Sequence, residues 1–179
     1  MLFVLGTILL GVTFALLLAL ISFFTTLVRA ERSGAPFFPT PLYAIEEAFR
    51  MAGLKPDERF YDLGCGTGRV LIIAEKKFKA IATGFELSTF FFVLARMNVA
   101  LRGAKAKVYL ADLYEEDLHP ANVLFLFLVP KGLEKLEKKL KKELRPGTRV
   151  ISYIFPLLFW EPVRTIELPN AKRLYLYKT

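Results

Sequence analysis

Cysteine is nearly absent from this chain. Cys65 is the one thiol among 179 residues, so no intrachain disulfide can form, and a reducing compartment fits. Histidine is equally scarce: His119, before Pro120 in an expected loop, is given no catalytic role, and no metal site is expected. Internal repeats are missing, as is any low-complexity tract beyond one lysine-rich stretch, which leaves an ordinary single domain. Charge is wholly missing from the first 28 residues, MLFVLGTILLGVTFALLLALISFFTTLV. About 20 apolar residues in a helix cross a bilayer core, so residues 1–29 are expected to be a transmembrane anchor. The run is too long for the apolar part of a signal peptide, and no basic segment precedes it. Arg29 and Arg32 follow it at once, so the rest of the chain is expected in the cytoplasm.

What the anchor lacks, the remainder carries. The net charge of +8 lies entirely beyond the first 28 residues, a balance suited to anionic lipid headgroups. Nucleic acid is the lesser expectation, since no nucleic-acid-binding motif is present. Residues 30–41, AERSGAPFFPTP, form a proline-containing linker, and residues 42–179 a folded domain. Thr40 and Pro41 suit a helix start, with Thr40 as N-cap. Residues 42–52 then place Ile45, Ala48, Phe49 and Ala52 on one helical face, with Gly53 as a stop.

The densest chemistry lies at Asp62-Leu63-Gly64-Cys65-Gly66-Thr67-Gly68. An apolar run precedes it and Arg69–Ala74 follows, which reads as strand, glycine turn and helix start. Glycine lets the backbone turn sharply and approach a ligand, and the helix start offers free N–H groups. The G-x-G-x-G spacing differs from the G-x-G-x-x-G of dinucleotide binders. Cys65 in the turn reads as a small packing residue. Glu86 closes a second strand-like run and Asp112 a third, Lys107–Ala111. Acids at successive strand ends suit a nucleoside bound at the carboxyl edge of an open α/β sheet. Ser88 caps a long apolar helix to about Arg102, and Val123–Val129 reads as a buried central strand.

Beyond it, Leu133, Leu136, Leu140 and Leu144 recur at helical spacing, and Glu134 with Lys138 and Glu137 with Lys141 stand four apart. The lysines of this helix are either solvated or face a membrane. Arg149–Tyr153, Val163–Leu168 and Arg173–Tyr177 read as closing strands, the last two as a hairpin around Pro169-Asn170. The expected fold is α/β: a mostly parallel sheet with an antiparallel edge, preceded by one membrane helix.

These motifs resemble those of class I S-adenosylmethionine-dependent methyltransferases. DLGCGTG looks like their first motif, GFELS their second-strand acid and ADL their adenine-edge motif. The resemblance implies a Rossmann-like core with S-adenosylmethionine as cofactor and S-adenosylhomocysteine as product. It places Asp62 with Gly64, Cys65, Gly66, Thr67 and Gly68 near the methionine part. Glu86 and Leu87 fall at the ribose, Asp112 and Leu113 at the adenine, and Pro39 and Thr40 in a covering loop. PFFPTP, DLGCGTGRV, GFELS, KVYLADLYE, VLFLFLVP, LEKKLKKEL and FPLLFW, from about Phe37 to Val163, resemble a narrower group. These are the membrane-anchored lysine methyltransferases that modify the adenine nucleotide translocase and the c-ring protein of ATP synthase, with their prokaryotic relatives. A protein-lysine substrate, often on a membrane protein, is implied. No transit peptide is recognisable, so a prokaryotic plasma membrane is expected rather than a mitochondrion.

For such a transfer the acceptor site is expected at Pro130, Tyr153, Phe155 and Trp160, with Phe37 and Phe38 as further aromatic walls. Apolar walls lower the pKa of an entering lysine. Tyr114 stacks at the adenine or simply packs. The residues alone leave three functions open: protein-lysine methylation, methylation of a lipid or small hydrophobic acceptor, and a non-catalytic cofactor-binding scaffold. Intact acids at positions 62, 86 and 112 argue against the last.

Overall fold

The computed structural model describes residues 2–33 and 38–179, except the side chains of residues 2, 3 and 26–33. Phe37 and the Arg29 and Arg32 side chains therefore lie outside the described part. A single helix, α1 (Leu2–Ser33), contains the apolar run and continues through residues 30–33, which composition alone assigns to the linker. Its segment Val4–Thr25 is long and apolar enough to cross a membrane by length and composition, and none of it is buried. Near its far end Phe23 packs edge-on against Phe90, with ring centroids 5.3 Å apart.

The second helix, α2 (Leu42–Ala52), buries Ile45, Ala48, Phe49 and Ala52, the stripe expected from their spacing, and Ala44 and Met51 beside it. Gly53 ends it in the left-handed region at φ 62°, where a side chain would add strain. Thr40 does not cap this helix. Pro41 occupies the N-cap position without any side-chain cap, and Thr40 is instead buried.

Seven strands form one sheet in the order β3-β2-β1-β4-β5-β7-β6. The strands are β1 (Arg59–Leu63), β2 (Ile81–Glu86), β3 (Lys107–Leu110), β4 (Val123–Leu126), β5 (Arg149–Tyr153), β6 (Arg164–Glu167) and β7 (Arg173–Lys178). The first five pair in parallel, β7 runs antiparallel to β5, and β6 forms an edge antiparallel to β7. This is the Rossmann-like arrangement with an antiparallel edge. Every residue of β4 is buried, as a central strand requires. β4 nevertheless stops at Leu126, short of the apolar run that encodes it.

Three more helices complete the layers: α3 (Arg69–Phe78), α4 (Thr89–Leu101) and α5 (Pro130–Glu143). Ser88 caps α4 as expected, its hydroxyl accepting from the Phe91 N–H. On one sheet face, residues of α2, α3 and α4 share a core with Phe60, Phe125 and Ile151. On the other, Leu133, Leu136 and Leu140 of α5 pack with Leu63, Leu124 and Leu126. The chain runs outward from β1 to β3 and then crosses back to place β4 on the other side of β1. That reversal opens a crevice at the carboxyl ends of β1 and β4, the position where open α/β sheets take ligands.

Candidate functional site

A cavity of about 460 Å³ occupies this crevice. The turn after β1 forms its floor. Gly64, Gly66 and Gly68 all have positive φ (86°, 53° and 74°), which explains glycine at each position. Gly64, Cys65, Gly66 and Thr67 line the cavity. Gly68 sits behind them as the N-cap of α3, where an added Cβ would lie 3.3 Å from the Cβ of Ala95. Cys65 is buried, and burial raises its thiol pKa, so it is no nucleophile. Gly84 is demanded by close approach instead. A Cβ there would stand 2.6 Å from Leu71 Cδ1 and 2.7 Å from Cys65 Cβ.

Two carboxylates meet at this turn and are treated differently. Glu86 accepts hydrogen bonds from the N–H of Gly66 and of Ser88, both at 2.8 Å, and so ties the end of β2 to the glycine turn. Each oxygen keeps acceptor capacity for a ligand hydroxyl. Burial raises the Glu86 pKa, against the backbone N–H groups that lower it. Asp62 is 3% exposed, and its Oδ2 finds no hydrogen-bond partner among the described residues. Burial first, and the Glu86 charge second, push its pKa up to about 8. A buried carboxyl with one oxygen left without a partner among the described residues, on a cavity wall, suits a cation or a hydrogen-bond donor.

The third acid, Asp112, lines the cavity with Leu113 and accepts from the Tyr114 N–H at 3.0 Å. Leu87 lines it at the β2 end, and Phe38, Pro39 and Thr40 close it from the segment before α2. All the residues singled out for the cofactor thus gather here except Gly68, which supports the turn from behind.

The acceptor residues do not gather. Pro130 is exposed as the first residue of α5 and is absent from the lining, although Leu128, Lys131 and Gly132 around it are present. Tyr153 is 1% exposed and packs edge-on behind Phe127, with centroids 4.8 Å apart, and Phe127 is what reaches the cavity. The Tyr153 hydroxyl finds no hydrogen-bond partner among the described residues, and burial pushes its pKa up to about 12. Phe155 and Trp160 turn to the α5 face of the sheet. The chain leaves β5 at Ile154, held at φ 72°, a strained value for a β-branched residue. Residues 155–160 are then fixed away from the cavity. The buried Glu137 carboxylate accepts from the N–H of Leu158 (2.9 Å) and Phe159 (2.7 Å), and the Tyr177 hydroxyl accepts from Leu157 N–H (2.9 Å). Trp160 rests on Tyr177 at 6.2 Å. Glu137 is therefore a loop clamp, and its expected partner Lys141 stands only at 4.0 Å.

Several lining residues were not singled out from sequence. Phe127 and Leu128 belong to the run read as strand, but β4 ends before them and the following turn brings them to the cavity. Lys131 and Lys135 join from the first turns of α5. Tyr114 places its ring under Lys135, whose Nζ lies 3.9 Å from the ring centroid, and donates its hydroxyl to Gly132 O at 3.1 Å. The lysine-rich pattern was the available signal, but nothing in it told these two lysines from their solvated neighbours. Among the described residues no cluster of metal-ligating side chains occurs.

Comparison with known proteins gives the family and the fold. The family described as the ANTKMT methyltransferase domain matches residues 62–164. A protein-lysine N-methyltransferase of Saccharolobus islandicus (strain REY15A) is 34% identical over 148 residues, covering 79% of this chain and 92% of that protein. The adenine nucleotide translocase lysine N-methyltransferase of Mus musculus is 32% identical over 148 residues, covering 82% of this chain and 64% of its own length. This chain therefore spans less than two thirds of that mouse relative. Among solved structures, an RNA methyltransferase from Salinibacter ruber in complex with S-adenosyl-L-homocysteine superposes with a TM-score of 0.76 at 31% identity. It covers 79% of this chain and 93% of its own.

Proposed function

The chain belongs to the ANTKMT methyltransferase domain family and is an S-adenosylmethionine-dependent methyltransferase, and we propose that its acceptor is a protein lysine presented at a membrane. The lysine assignment rests chiefly on the 34% identity that runs through 92% of the archaeal protein-lysine methyltransferase. The membrane assignment rests on the apolar segment Val4–Thr25, read as a retained single-pass anchor with the folded domain in the cytoplasm. A substrate on a membrane-associated protein follows from that placement. A prokaryotic plasma membrane is the proposed location.

The cavity fits the cofactor on its own chemistry. The orphaned Asp62 Oδ2 suits an ammonium, the Glu86 carboxylate suits ribose hydroxyls, and Asp112 with Leu113 suits an adenine edge. Bound there, S-adenosylmethionine supplies an electrophilic methyl group carried on a sulfonium. Phe38, Pro39 and Thr40 border the cavity from the segment before α2, with Thr40 buried against it. Phe127, backed by Tyr153, presents an apolar wall beside Leu128. Such a wall disfavours the ammonium form of an incoming lysine, so its proton leaves to solvent and the amine lone pair becomes available. Transfer by displacement then depends on positioning rather than on a dedicated base.

The purified protein with S-adenosylmethionine and a lysine-bearing peptide tests this assignment. S-adenosylhomocysteine should form with that peptide and stay at background with its arginine counterpart. A second reading, RNA as acceptor, is favoured by the Salinibacter relative, and turnover on RNA with none on peptide would establish it.

A further inference from the structure

Helix α4 is apolar on both sides. Its inward face buries Ala95 and Val99 against the sheet. At 100° per residue, Phe90, Val93, Met97 and Leu101 fall in one narrow stripe on the opposite side. Val93, Met97 and Leu101 are 47%, 53% and 80% exposed with every described neighbour in place, α1 included. An exposed apolar stripe on a helix whose opposite face is already buried calls for a second apolar surface, and no core among the described residues covers it.

Two observations name what does. The first is continuity with the candidate membrane span. Phe90, at the head of the stripe, packs on Phe23, which lies inside Val4–Thr25. Phe23 is two residues from the end of that span, so at 1.5 Å per residue Phe90 stands roughly 3 Å within the apolar length of α1. If α1 crosses a bilayer, the start of α4 is drawn to the hydrocarbon boundary with it. The second is charge. Between Glu86 and Asp112 the chain carries Arg96, Arg102, Lys105 and Lys107 and no acidic residue. All four basic residues are exposed. Glu75 of α3 reaches this segment only to accept from the Lys105 and Ala106 N–H groups. An apolar stripe with Arg96 exposed on the same helix and Arg102 exposed at its C-cap complements an anionic lipid surface.

We propose that the Phe90–Val93–Met97–Leu101 face of α4 lies in the headgroup–acyl boundary of an anionic bilayer as a second membrane contact beside α1. The cavity mouth then opens at headgroup level. Phe38, 62% exposed, and Leu87, 55% exposed, stand at that mouth, and Phe91 brings α4 itself into the lining. Acceptors would be taken from residues just outside the hydrocarbon. The docking rests on this surface and on the proposed reading of α1 as a membrane anchor, while the nature of the acceptor rests on the lysine reading above.

Electron paramagnetic resonance on the full chain in vesicles of phosphatidylcholine with a minority of phosphatidylglycerol tests the docking. A nitroxide is attached at Met97→Cys, with Glu167→Cys on the edge strand β6 as aqueous control. The native Cys65 is buried and leaves both labels specific. The expected result is a label at 97 relaxed more by oxygen than by a water-soluble nickel chelate, with the reverse at 167. Chelate access at 97 equal to that at 167 would overturn the docking, and so would shielding from both relaxants, which means a second protein copy covers the face. The double variant V93E/M97E supplies the functional arm. Its methyl transfer to a bilayer-embedded lysine peptide should fall about tenfold, while cofactor affinity and transfer to a soluble lysine peptide hold. An equal fall on both peptides would contradict the docking. Loss of lysine transfer by the unmodified chain on either peptide would instead contradict the acceptor assignment, whatever the labels report.

Discussion

Asp62 and Glu86 end neighbouring parallel strands and face the same glycine turn, yet only Glu86 is engaged: it binds the Gly66 N–H while Asp62 Oδ2 stays unpartnered. Burial and the charge of Glu86 push the Asp62 pKa up to about 8, against an ordinary value of 3.8. Between those values the folded chain without cofactor holds a proton that the unfolded chain has lost. Its stability contribution from Asp62 therefore falls as pH rises through this window. A cationic ligand group reverses the preference and expels the proton. Titrating S-adenosylmethionine near neutral pH in buffers of different ionisation heat should show proton release approaching one per site. Asp62→Asn should abolish that release, and unchanged release in this variant would take Asp62 out of the site.

Replacing Glu86 with Ala removes both the Gly66 and Ser88 tethers and the proposed acceptor for ribose hydroxyls. Cofactor affinity should drop by about 1–3 kcal/mol, the scale of losing a hydrogen bond to a charged group. Calorimetry with unaltered affinity would place the ribose elsewhere.

Gly84→Ala places a methyl group 2.7 Å from Cys65 Cβ and 2.6 Å from Leu71 Cδ1. Leu71 and Cys65 are both buried, so the methyl group must displace one of them, and displacing Cys65 moves the glycine turn. Denaturant unfolding should record a loss of about 1–3 kcal/mol, typical of overpacking, together with weaker cofactor binding. Weaker binding with full stability would show the turn moving without strain.

Glu137→Ala should separate stability from binding. The carboxylate holds Leu158 and Phe159 by their N–H groups, and its loss leaves both donors without that acceptor. Thermal unfolding should shift down, by an amount corresponding to about 2 kcal/mol or more. Cofactor affinity should hold, because residues 155–160 do not line the cavity. A parallel loss of affinity would bring the aromatic loop back into the site.

Local rules explain what the sequence disclosed. The glycine turn, the acids at strand ends, the Ser88 cap and the Gly53 stop each follow from nearby residues, and each stands where expected. Long-range contacts decided the remainder. FPLLFW has the composition of an aromatic gate, yet its course is set by Glu137 and Tyr177, which lie far away in sequence. Phe127 looked like one more strand residue because an apolar run does not reveal where hydrogen bonding to β1 and β5 stops. Thr40 had the chemistry of a cap, but the wall of the cavity claimed it.

Transfer of labelled methyl from S-adenosylmethionine into host membranes, followed by hydrolysis and separation of methylated products, tests lysine methylation most directly. Label recovered as methyl-lysine from a protein band, and reduced with Glu86→Ala at low S-adenosylmethionine, is the expected result. Label confined to lipid or RNA, or no label from protein that binds cofactor normally, would contradict it.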